Sequence, residues 1–275
     1  MQQREATLAG IGGLELFTRS WLPDAPPRAA IVISHGLGEH SGRYAALATQ
    51  LAERGLAVHA LDHRGHGRSG GPRANIERFT YLVSDFAAFV GRCARQHLDT
   101  PLYVLGHSMG GAVAFATALR LQHQLRGLVL SAPALAMDTA VPRLQEWLVR
   151  ALSVVAPNAG ALTIPPAAVS RDPAVVMRYG SDPLVHHGAV PARTVVELLD
   201  AMRTFPGTMR ELRLPTLILH GTADKLVPLA ATRPLYQAIS ADYRTLKLYE
   251  GLFHEVFNEP ERATVTADLF SWLDR

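Results

Sequence analysis

The stretch Leu102-Tyr103-Val104-Leu105-Gly106-His107-Ser108-Met109-Gly110-Gly111 decides which fold this sequence is expected to adopt. Its first four residues are apolar and typical of a buried strand, and a small, helix-prone run follows over residues 112–119. The pattern G-x-S-x-G between them predicts a sharp turn whose glycines let the backbone pass close behind Ser108. A helix that begins directly after this serine directs free N–H groups and its positive dipole end toward it. We therefore predict that Ser108 is a catalytic nucleophile.

A serine nucleophile needs a base to take its proton and an acid to orient that base. In a strand–turn–helix setting, the expected chain order is serine, acid, histidine. Asp224 and His254 each follow an apolar, strand-like run, which predicts that both lie in loops at the carboxyl ends of strands. Asp85, Asp62 and Asp99 are rival acids, and the last two precede the serine in turn-like segments. The predicted triad is the serine with Asp224 and His254.

Acyl transfer also needs donors for the oxygen that gains negative charge, and each such donor is worth roughly 3–4 kcal/mol. The residue after the nucleophile, Met109, is predicted to supply one backbone N–H. The loop His35-Gly36-Leu37-Gly38 follows a buried strand over residues 29–34, and loops of this type supply the second. We predict that Leu37 and Met109 form the oxyanion hole.

Motifs along most of the chain resemble one family. The matching segments are HGLGEHSGRY (35–44), DHRGHGRS (62–69), GHSMGG (106–111), SDPL (181–184), HGTAD (220–224) and GLFH (251–254). Together they resemble the monoacylglycerol lipase and lysophospholipase family of α/β-hydrolases. The resemblance implies an ester hydrolase for one-chain lipids that uses the same serine, aspartate and histidine and needs no cofactor or metal. It also implies that Glu39, Arg43 and Tyr179 contact the glycerol end of the substrate.

Composition is consistent with a globular enzyme and excludes other classes. The chain has 275 residues, of which 48% are hydrophobic and 19% charged, and its formal net charge is +3. So small a charge without a Lys/Arg block argues against nucleic-acid binding. The single cysteine, Cys93, cannot form an intramolecular disulfide. The pair His186-His187 lacks metal-ligand spacing, so no metal site is predicted.

Strand-like and helix-like runs alternate along the chain, and Gly12-Gly13 indicates a hairpin before the strand-like residues 14–21. This pattern predicts a mainly parallel sheet flanked by helices, and the family resemblance implies that it is the eight-stranded, mostly parallel sheet of the α/β-hydrolase fold. Residues 131–214 contain no clear strand, a length that exceeds an ordinary connection. We predict a core formed by residues 1–133 and 214–275, and a helical cap formed by residues 134–213.

The predicted cap contains more apolar residues than packing on the core requires. This surplus consists of Leu135, Met137, Leu152, Val154, Val155, Leu162 and Ile164. It is enough to line an acyl tunnel and to form an exposed lip that contacts a membrane or micelle. No apolar leader and no run of about 18–20 apolar residues is evident, so the expected location is cytoplasmic with possible membrane association. The sequence does not indicate an oligomeric state.

Several alternatives remain open at this point. A lysophospholipase would favour a basic cap mouth, for which the candidates are Arg143, Arg150, Arg171 and Arg178. A broad carboxylesterase for short and medium chains, a carbon–carbon bond hydrolase and a cofactor-free perhydrolase would all keep the same triad. Epoxide and haloalkane hydrolases need a carboxylate at position 108, where this chain has serine. A non-catalytic binding protein would typically have lost a triad member.

Overall fold

A computed structural model describes residues 1–136 and 142–275 of the protein. In chain order its strands are β1 (Gln2–Ala9), β2 (Glu15–Leu22), β3 (Ala29–Ser34), β4 (Leu56–Leu61), β5 (Leu102–His107), β6 (Gly127–Ser131), β7 (Gly160–Leu162), β8 (Val190–Pro191), β9 (Thr216–Gly221) and β10 (Arg244–Tyr249). Eight of them form one sheet in the order β1-β2-β4-β3-β5-β6-β9-β10, and β7 pairs with β8. The strand β2 is antiparallel to β1 and β4, and the other neighbours in the large sheet are parallel. The predicted fold class is confirmed.

Helices cover both faces of the large sheet. The α-helices of the described residues are α1 (Ala45–Glu53), α2 (Phe79–Gln96), α3 (Met109–Leu121), α4 (Arg143–Val155), α5 (Pro173–Ser181), α6 (Ala192–Thr208), α7 (Leu229–Ala238) and α8 (Arg262–Leu273). Of these, α4 and α5 lie in the connection between β6 and β9. Side chains alternate between faces along a strand, so the neighbours Val104 and Leu105 of β5 belong to different apolar clusters. Val104 packs in the cluster that contains α2 and α3, and Leu105 packs in the cluster that contains α1 and α8.

The hairpin predicted from Gly12-Gly13 is present, and its first strand is β1. Both glycines have a φ of 74°, a backbone conformation that side-chain-bearing residues rarely adopt. The sequence of β1 is polar, and all its residues except Leu8 are exposed. Because backbone pairing with β2 stabilises this strand in place of burial, the hydrophobic pattern did not reveal it.

The chain between β6 and β9 contains α4, β7, α5, β8 and α6. In α6 the ring of Phe205 packs against those of Phe79 and Phe115, with centroid distances of 6.2 and 5.4 Å. The helix α6 therefore packs directly on α2 and α3, and it anchors this connection to the main core. Met137, which was predicted to line an acyl tunnel, lies outside the described residues.

Candidate active site

Ser108 occupies the turn between β5 and α3, with φ 52° and ψ −122°. A non-glycine residue with positive φ is uncommon, and such strain clusters at active sites. The two flanking glycines are required by close backbone approach. A Cβ at Gly106 would overlap the carbonyl oxygen of Gly110, and one at Gly110 would overlap the carbonyl oxygens of Ser34 and His35. The strand–turn–helix geometry predicted from the sequence is therefore present around Ser108.

Asp224 and His254 form a hydrogen-bonded pair at the carboxyl ends of β9 and β10. The Oδ1 atom of Asp224 accepts hydrogen bonds from the backbone N–H groups of Leu226 and Val227, at 2.8 and 3.0 Å. Its Oδ2 atom accepts a hydrogen bond of 2.7 Å from Nδ1 of His254. With the proton on Nδ1, Nε2 of a neutral His254 carries the lone pair, which is the tautomer that a general base needs.

The surroundings of this pair shift the two pKa values so that Asp224 is favoured as a carboxylate and His254 as an imidazolium. Burial alone would raise the pKa of Asp224, but the charge of His254 and hydrogen bonds from His220, His254 and Val227 lower it below its ordinary value. Burial alone would lower the pKa of His254, but the charge and hydrogen bond of Asp224, with Glu255 and Glu39, raise it above its ordinary value. Both shifts stabilise an aspartate–imidazolium pair.

A cavity of about 270 Å³ brings together most of the residues predicted from the sequence. Its lining includes Leu37, Glu39, Ser108, Met109, Tyr179 and His254. Asp224 lies behind His254, where it is 6% exposed. Arg43 lines a neighbouring groove with Arg178 and Asp182. The predicted nucleophile, base, oxyanion donors and two of the three predicted head-group residues therefore share one cavity.

Apolar side chains form much of the remaining lining of this cavity. They are Ala134, Leu162, Ile164, Val169, Leu198, Met202, Leu226 and Val227. Leu162 and Ile164 were predicted to have this role. Of the other residues predicted to form the tunnel or the exposed lip, Leu135 is fully buried in the main core, Leu152 is half-buried away from the cavity lining, and Val154 and Val155 are 76% and 80% exposed. Six of these eight apolar residues come from the connection between β6 and β9.

Glu39 and Arg43 belong to a buried ion-pair network that also contains Glu255. Arg43 donates through Nη1 to Oε2 of Glu39 at 2.7 Å, and its Nη1 and Nη2 atoms donate to the two carboxylate oxygens of Glu255 at 2.6 and 2.7 Å. The Oε1 atom of Glu39 accepts hydrogen bonds from Gly36 N–H and the Tyr44 hydroxyl. Glu255 was not predicted, although its position next to His254 was a signal for it.

The loop after β3 is stabilised from two sides. Within the loop, Nδ1 of His35 donates to the carbonyl oxygen of Gly36 at 2.8 Å, and Nε2 of His35 accepts from the backbone N–H of His63 at 2.9 Å. From the connection between β6 and β9, the N–H of His186 donates to the carbonyl oxygen of Gly38 at 2.7 Å. These contacts fix the backbone on both sides of Leu37.

The rival acids have other partners. Asp62 accepts hydrogen bonds from the backbone N–H groups of Ser41 and Arg68, and Asp85 pairs with Arg64 at 2.8 Å. Asp99 is exposed in a turn after α2. Of the acids considered, Asp224 is the one that contacts His254.

The fold and the site define the class of protein, an α/β-hydrolase with a buried Asp–His pair beside an elbow serine. Residues 25–261 match the family model described as "Serine aminopeptidase, S33", and the chain belongs to that family of serine hydrolases. The monoacylglycerol lipase of Mycolicibacterium smegmatis is 41% identical over 269 residues, which cover 98% of this chain and 96% of the relative. The monoglyceride lipase of Rattus norvegicus is 34% identical over 269 residues, which cover 97% of this chain and 89% of the relative.

A solved structure of a related enzyme agrees with these sequence matches. The crystal structure of Paleococcus ferrophilus monoacylglycerol lipase superposes with a TM-score of 0.82 at 30% identity, and the match covers 94% of this chain and 98% of that one. The resemblance to monoacylglycerol lipases seen in the sequence motifs is therefore confirmed, as is the predicted class, a serine hydrolase of the lipase and esterase type.

Proposed function

We propose that the protein hydrolyses monoacylglycerols to glycerol and a fatty acid, with Ser108, Asp224 and His254 as its catalytic triad. One observation carries the proposal: the Asp224–His254 hydrogen bond of 2.7 Å orients an imidazole that shares an apolar cavity with Ser108. The three relatives described above bear the names monoacylglycerol lipase or monoglyceride lipase, which supports the same substrate here.

The proposed reaction proceeds through an acyl-enzyme. His254 takes the hydroxyl proton of Ser108 as the serine oxygen attacks the ester carbonyl, and Asp224 stabilises the imidazolium that forms. The N–H groups of Leu37 and Met109 donate to the oxyanion of the tetrahedral intermediate. When the intermediate breaks down, glycerol leaves with the proton from His254. Water then attacks the acyl-enzyme with His254 again as base, and the fatty acid leaves as Ser108 regains its proton.

We infer that residues 134–213 act as a cap that closes the site over one acyl chain. The apolar lining contributed by Leu162, Ile164, Val169, Leu198 and Met202 supports this role. A cavity of about 270 Å³ has room for a single narrow arm, so additional chains on a di- or triacylglycerol would meet the cap. Selectivity for one-chain glycerides follows from this enclosure.

At the polar end we propose that Glu39 and Tyr179 contact the glycerol hydroxyls. The Oε2 atom of Glu39 accepts one hydrogen bond from Arg43, and a carboxylate oxygen has a second lone pair for a substrate hydroxyl. The guanidinium of Arg43 lies over the Tyr179 ring, with its Cζ atom 4.7 Å from the centroid. Arg43 therefore orients both of these residues, and its effect on the head group is indirect.

A neutral head group is favoured over the phosphate of a lysophospholipid. Among the candidate cations, Arg150 pairs with Glu146 and Asp200, and Arg171 pairs with Glu259 and Glu261. Arg178 lies at the groove beside Arg43, and the side chain of Arg143 lies outside the described residues. An arginine that turned from its carboxylate partners to a phosphate would leave those carboxylates unpaired, so Arg150 and Arg171 favour their present partners.

We further propose that the exposed apolar side of α4 rests on a membrane or micelle. Trp147 is 62% exposed and Leu144 is 66% exposed, and Leu148, Val154 and Val155 extend the same apolar surface. Apolar surface of this kind on the cap is suited to drawing lipid from an interface. Within residues 1–136 and 142–275, no helix has the length and apolarity to cross a membrane.

A hydrolysis panel tests the proposed function. We expect monoacylglycerols to be hydrolysed much faster than diacylglycerol, and triacylglycerol to be turned over hardly at all. Lysophosphatidylcholine, p-nitrophenyl esters and an aminoacyl p-nitroanilide complete the panel and distinguish lysophospholipase, general esterase and peptidase activity. Triacylglycerol turned over as fast as monoacylglycerol would rule out the enclosed one-chain site. A preference for lysophosphatidylcholine or for the anilide would replace the proposed substrate.

A further inference from the structure

A second histidine contacts the carboxylate of Asp224 from the side opposite the cavity. His220, near the end of β9, is fully buried. Its Nε2 atom lies 2.8 Å from the carbonyl oxygen of Val227 and 3.3 Å from Oδ2 of Asp224. Its Nδ1 atom lies 2.8 Å from the hydroxyl of Tyr236 in α7, which is also fully buried. His220 thus connects Tyr236 to the acid of the proposed triad.

These partners determine the tautomer of His220. A carbonyl oxygen only accepts hydrogen bonds, so the 2.8 Å contact with Val227 requires a proton on Nε2. Nδ1 of the neutral ring then accepts the hydrogen bond from the Tyr236 hydroxyl. In the other tautomer, the Nε2 lone pair would face two oxygens, those of Val227 and Asp224. The carbonyl of Val227 therefore selects the ring form that donates toward Asp224, and the Tyr236 hydroxyl holds this ring by donating to Nδ1.

The contact reaches the oxygen of Asp224 that has the fewest other donors. Oδ1 of Asp224 accepts two backbone hydrogen bonds, from Leu226 and Val227. Oδ2 accepts from His254 and faces Nε2 of His220. Both oxygens of a carboxylate turn together about the Cβ–Cγ bond, so a contact on Oδ2 adds to the two backbone hydrogen bonds that hold Oδ1, while His254 moves a proton in each turnover. His220 is thus a constraint on Oδ2 that is independent of the reacting histidine.

We propose that His220 and Tyr236 form a positioning pair that keeps the Asp224 carboxylate aligned with His254 during turnover. This inference rests on the proposed function, because it assigns the pair a task within the Ser108–Asp224–His254 triad. Apolar side chains could fill this space without hydrogen-bond partners. A buried imidazole and a buried phenol are costly unless their polar atoms are paired, so packing alone does not explain why they are here. His220 and Tyr236 act through Asp224 and do not contact substrate.

Substitutions at His220 distinguish the role of its N–H donor from the role of its side-chain volume. We expect His220→Leu to lower kcat by roughly tenfold to a hundredfold, the cost of removing a polar contact to a charged group, with KM for a short soluble ester nearly unchanged. His220→Gln should recover most of this loss, because an amide nitrogen can donate at the position of Nε2. The amide has no Nδ1 acceptor for the Tyr236 hydroxyl, so the position of its donor depends less on Tyr236.

Tyr236→Phe provides the second arm of the test. We expect it to lower kcat in the native background and to have little further effect in the His220→Gln background. His59→Gln is the matched control, since His59 is a buried histidine in β4 whose partners are Ser20 and His97, away from the cavity. This control should lower the melting temperature without lowering kcat.

Three outcomes would overturn the positioning role. They are native kcat in folded His220→Leu, a change confined to KM, or an equal kcat loss from Tyr236→Phe in both backgrounds. If His220→Leu does not fold, the His220→Gln and Tyr236→Phe series decides by itself. Labelling of Ser108 by a fluorophosphonate, measured in parallel on the unsubstituted protein, tests the proposed function separately. Labelled Ser108 with native kcat in every variant would reject the pair and retain the triad.

Discussion

At the scale of single residues, the site depends on how protons are distributed among buried side chains. His254 is 4% exposed and contacts Asp224 on one side and the ring of His107 on another, with 4.6 Å between the ring centroids. Burial lowers the pKa of His107 to about 4, so this ring is neutral in the range where His254 titrates. The carboxylates of Asp224, Glu255 and Glu39 act in the opposite direction on His254.

This arrangement predicts the pH dependence of catalysis. Since the pKa of His254 is raised above 6.5, protonated His254 persists to higher pH and cannot take the Ser108 proton there. We expect kcat/KM for a neutral ester to rise with pH through an apparent pKa above 6.5, the ordinary value. In Asp224→Asn, the residual activity should rise with pH at a lower pH, because the carboxylate charge that raises the pKa of His254 is gone. A limb well below 6.5 in the unsubstituted enzyme would contradict the assignment of His254 as base.

A second residue-scale prediction separates head-group binding from support of the oxyanion loop. Tyr179→Phe removes a hydroxyl without altering the Gly36–Glu39 hydrogen bond, so it should raise KM for monoacylglycerol and leave KM for a p-nitrophenyl ester unchanged. Glu39→Ala should raise KM for monoacylglycerol more than for the p-nitrophenyl ester. Equal effects of Glu39→Ala on both esters would leave Glu39 only its structural role, and the Tyr179 result shows whether head-group recognition exists without it.

At the scale of elements, the sequence pattern predicted the strands that are buried and missed those that are held mainly by backbone pairing. The strands with continuous apolar runs are recognisable in the sequence because helices cover both of their faces. The strand β3 was predicted over its observed residues 29–34, and β5 was predicted from its apolar residues 102–105. The polar strand β1 and the short pair β7–β8 were not located, since backbone pairing forms them with little burial. The α4 helix lies in the segment predicted to be helical, residues 134–213, but several of its apolar side chains are exposed and do not pack in a core.

That exposed side of α4 yields an element-scale prediction. Trp147→Glu should reduce sedimentation of the protein with phosphatidylcholine vesicles and lower its activity on monoacylglycerol presented in them, because a charge opposes insertion of the apolar surface. Activity on a short soluble ester should stay the same. Gln145→Glu adds the same charge at an exposed polar position of this helix and serves as the control. Equal vesicle binding by the Trp147 variant and the unsubstituted protein would argue against α4 as the docking surface.

At the scale of the whole molecule, the sheet assembles residues that are far apart in the chain. The oxyanion loop, Ser108, Asp224 and His254 follow β3, β5, β9 and β10, whose carboxyl ends lie along one edge of the sheet. Chain order and motif spacing were enough to predict this convergence. The connections made by Glu255, His35 and His220 were not predicted, because they depend on side-chain distances across the site that spacing along the chain does not determine.

A whole-molecule prediction concerns metal ions. Every group in the proposed mechanism is supplied by the protein, and no cluster of three or more potential metal ligands occurs in the part of the chain that the structure describes. Activity should therefore survive EDTA treatment followed by exhaustive dialysis. Loss of activity that a divalent ion restores would show that an essential group is missing from the mechanism.

The most direct test of the central claim is covalent labelling by a fluorophosphonate, followed by mass spectrometry of the intact protein and its peptides. The account predicts one adduct per chain, located on Ser108 and blocked when monoacylglycerol is in excess. Ser108→Ala should remain unlabelled and lose about 10⁶-fold in kcat, because removing the nucleophile removes the acyl-enzyme. An adduct on another serine, or near-native turnover by Ser108→Ala, would contradict the account.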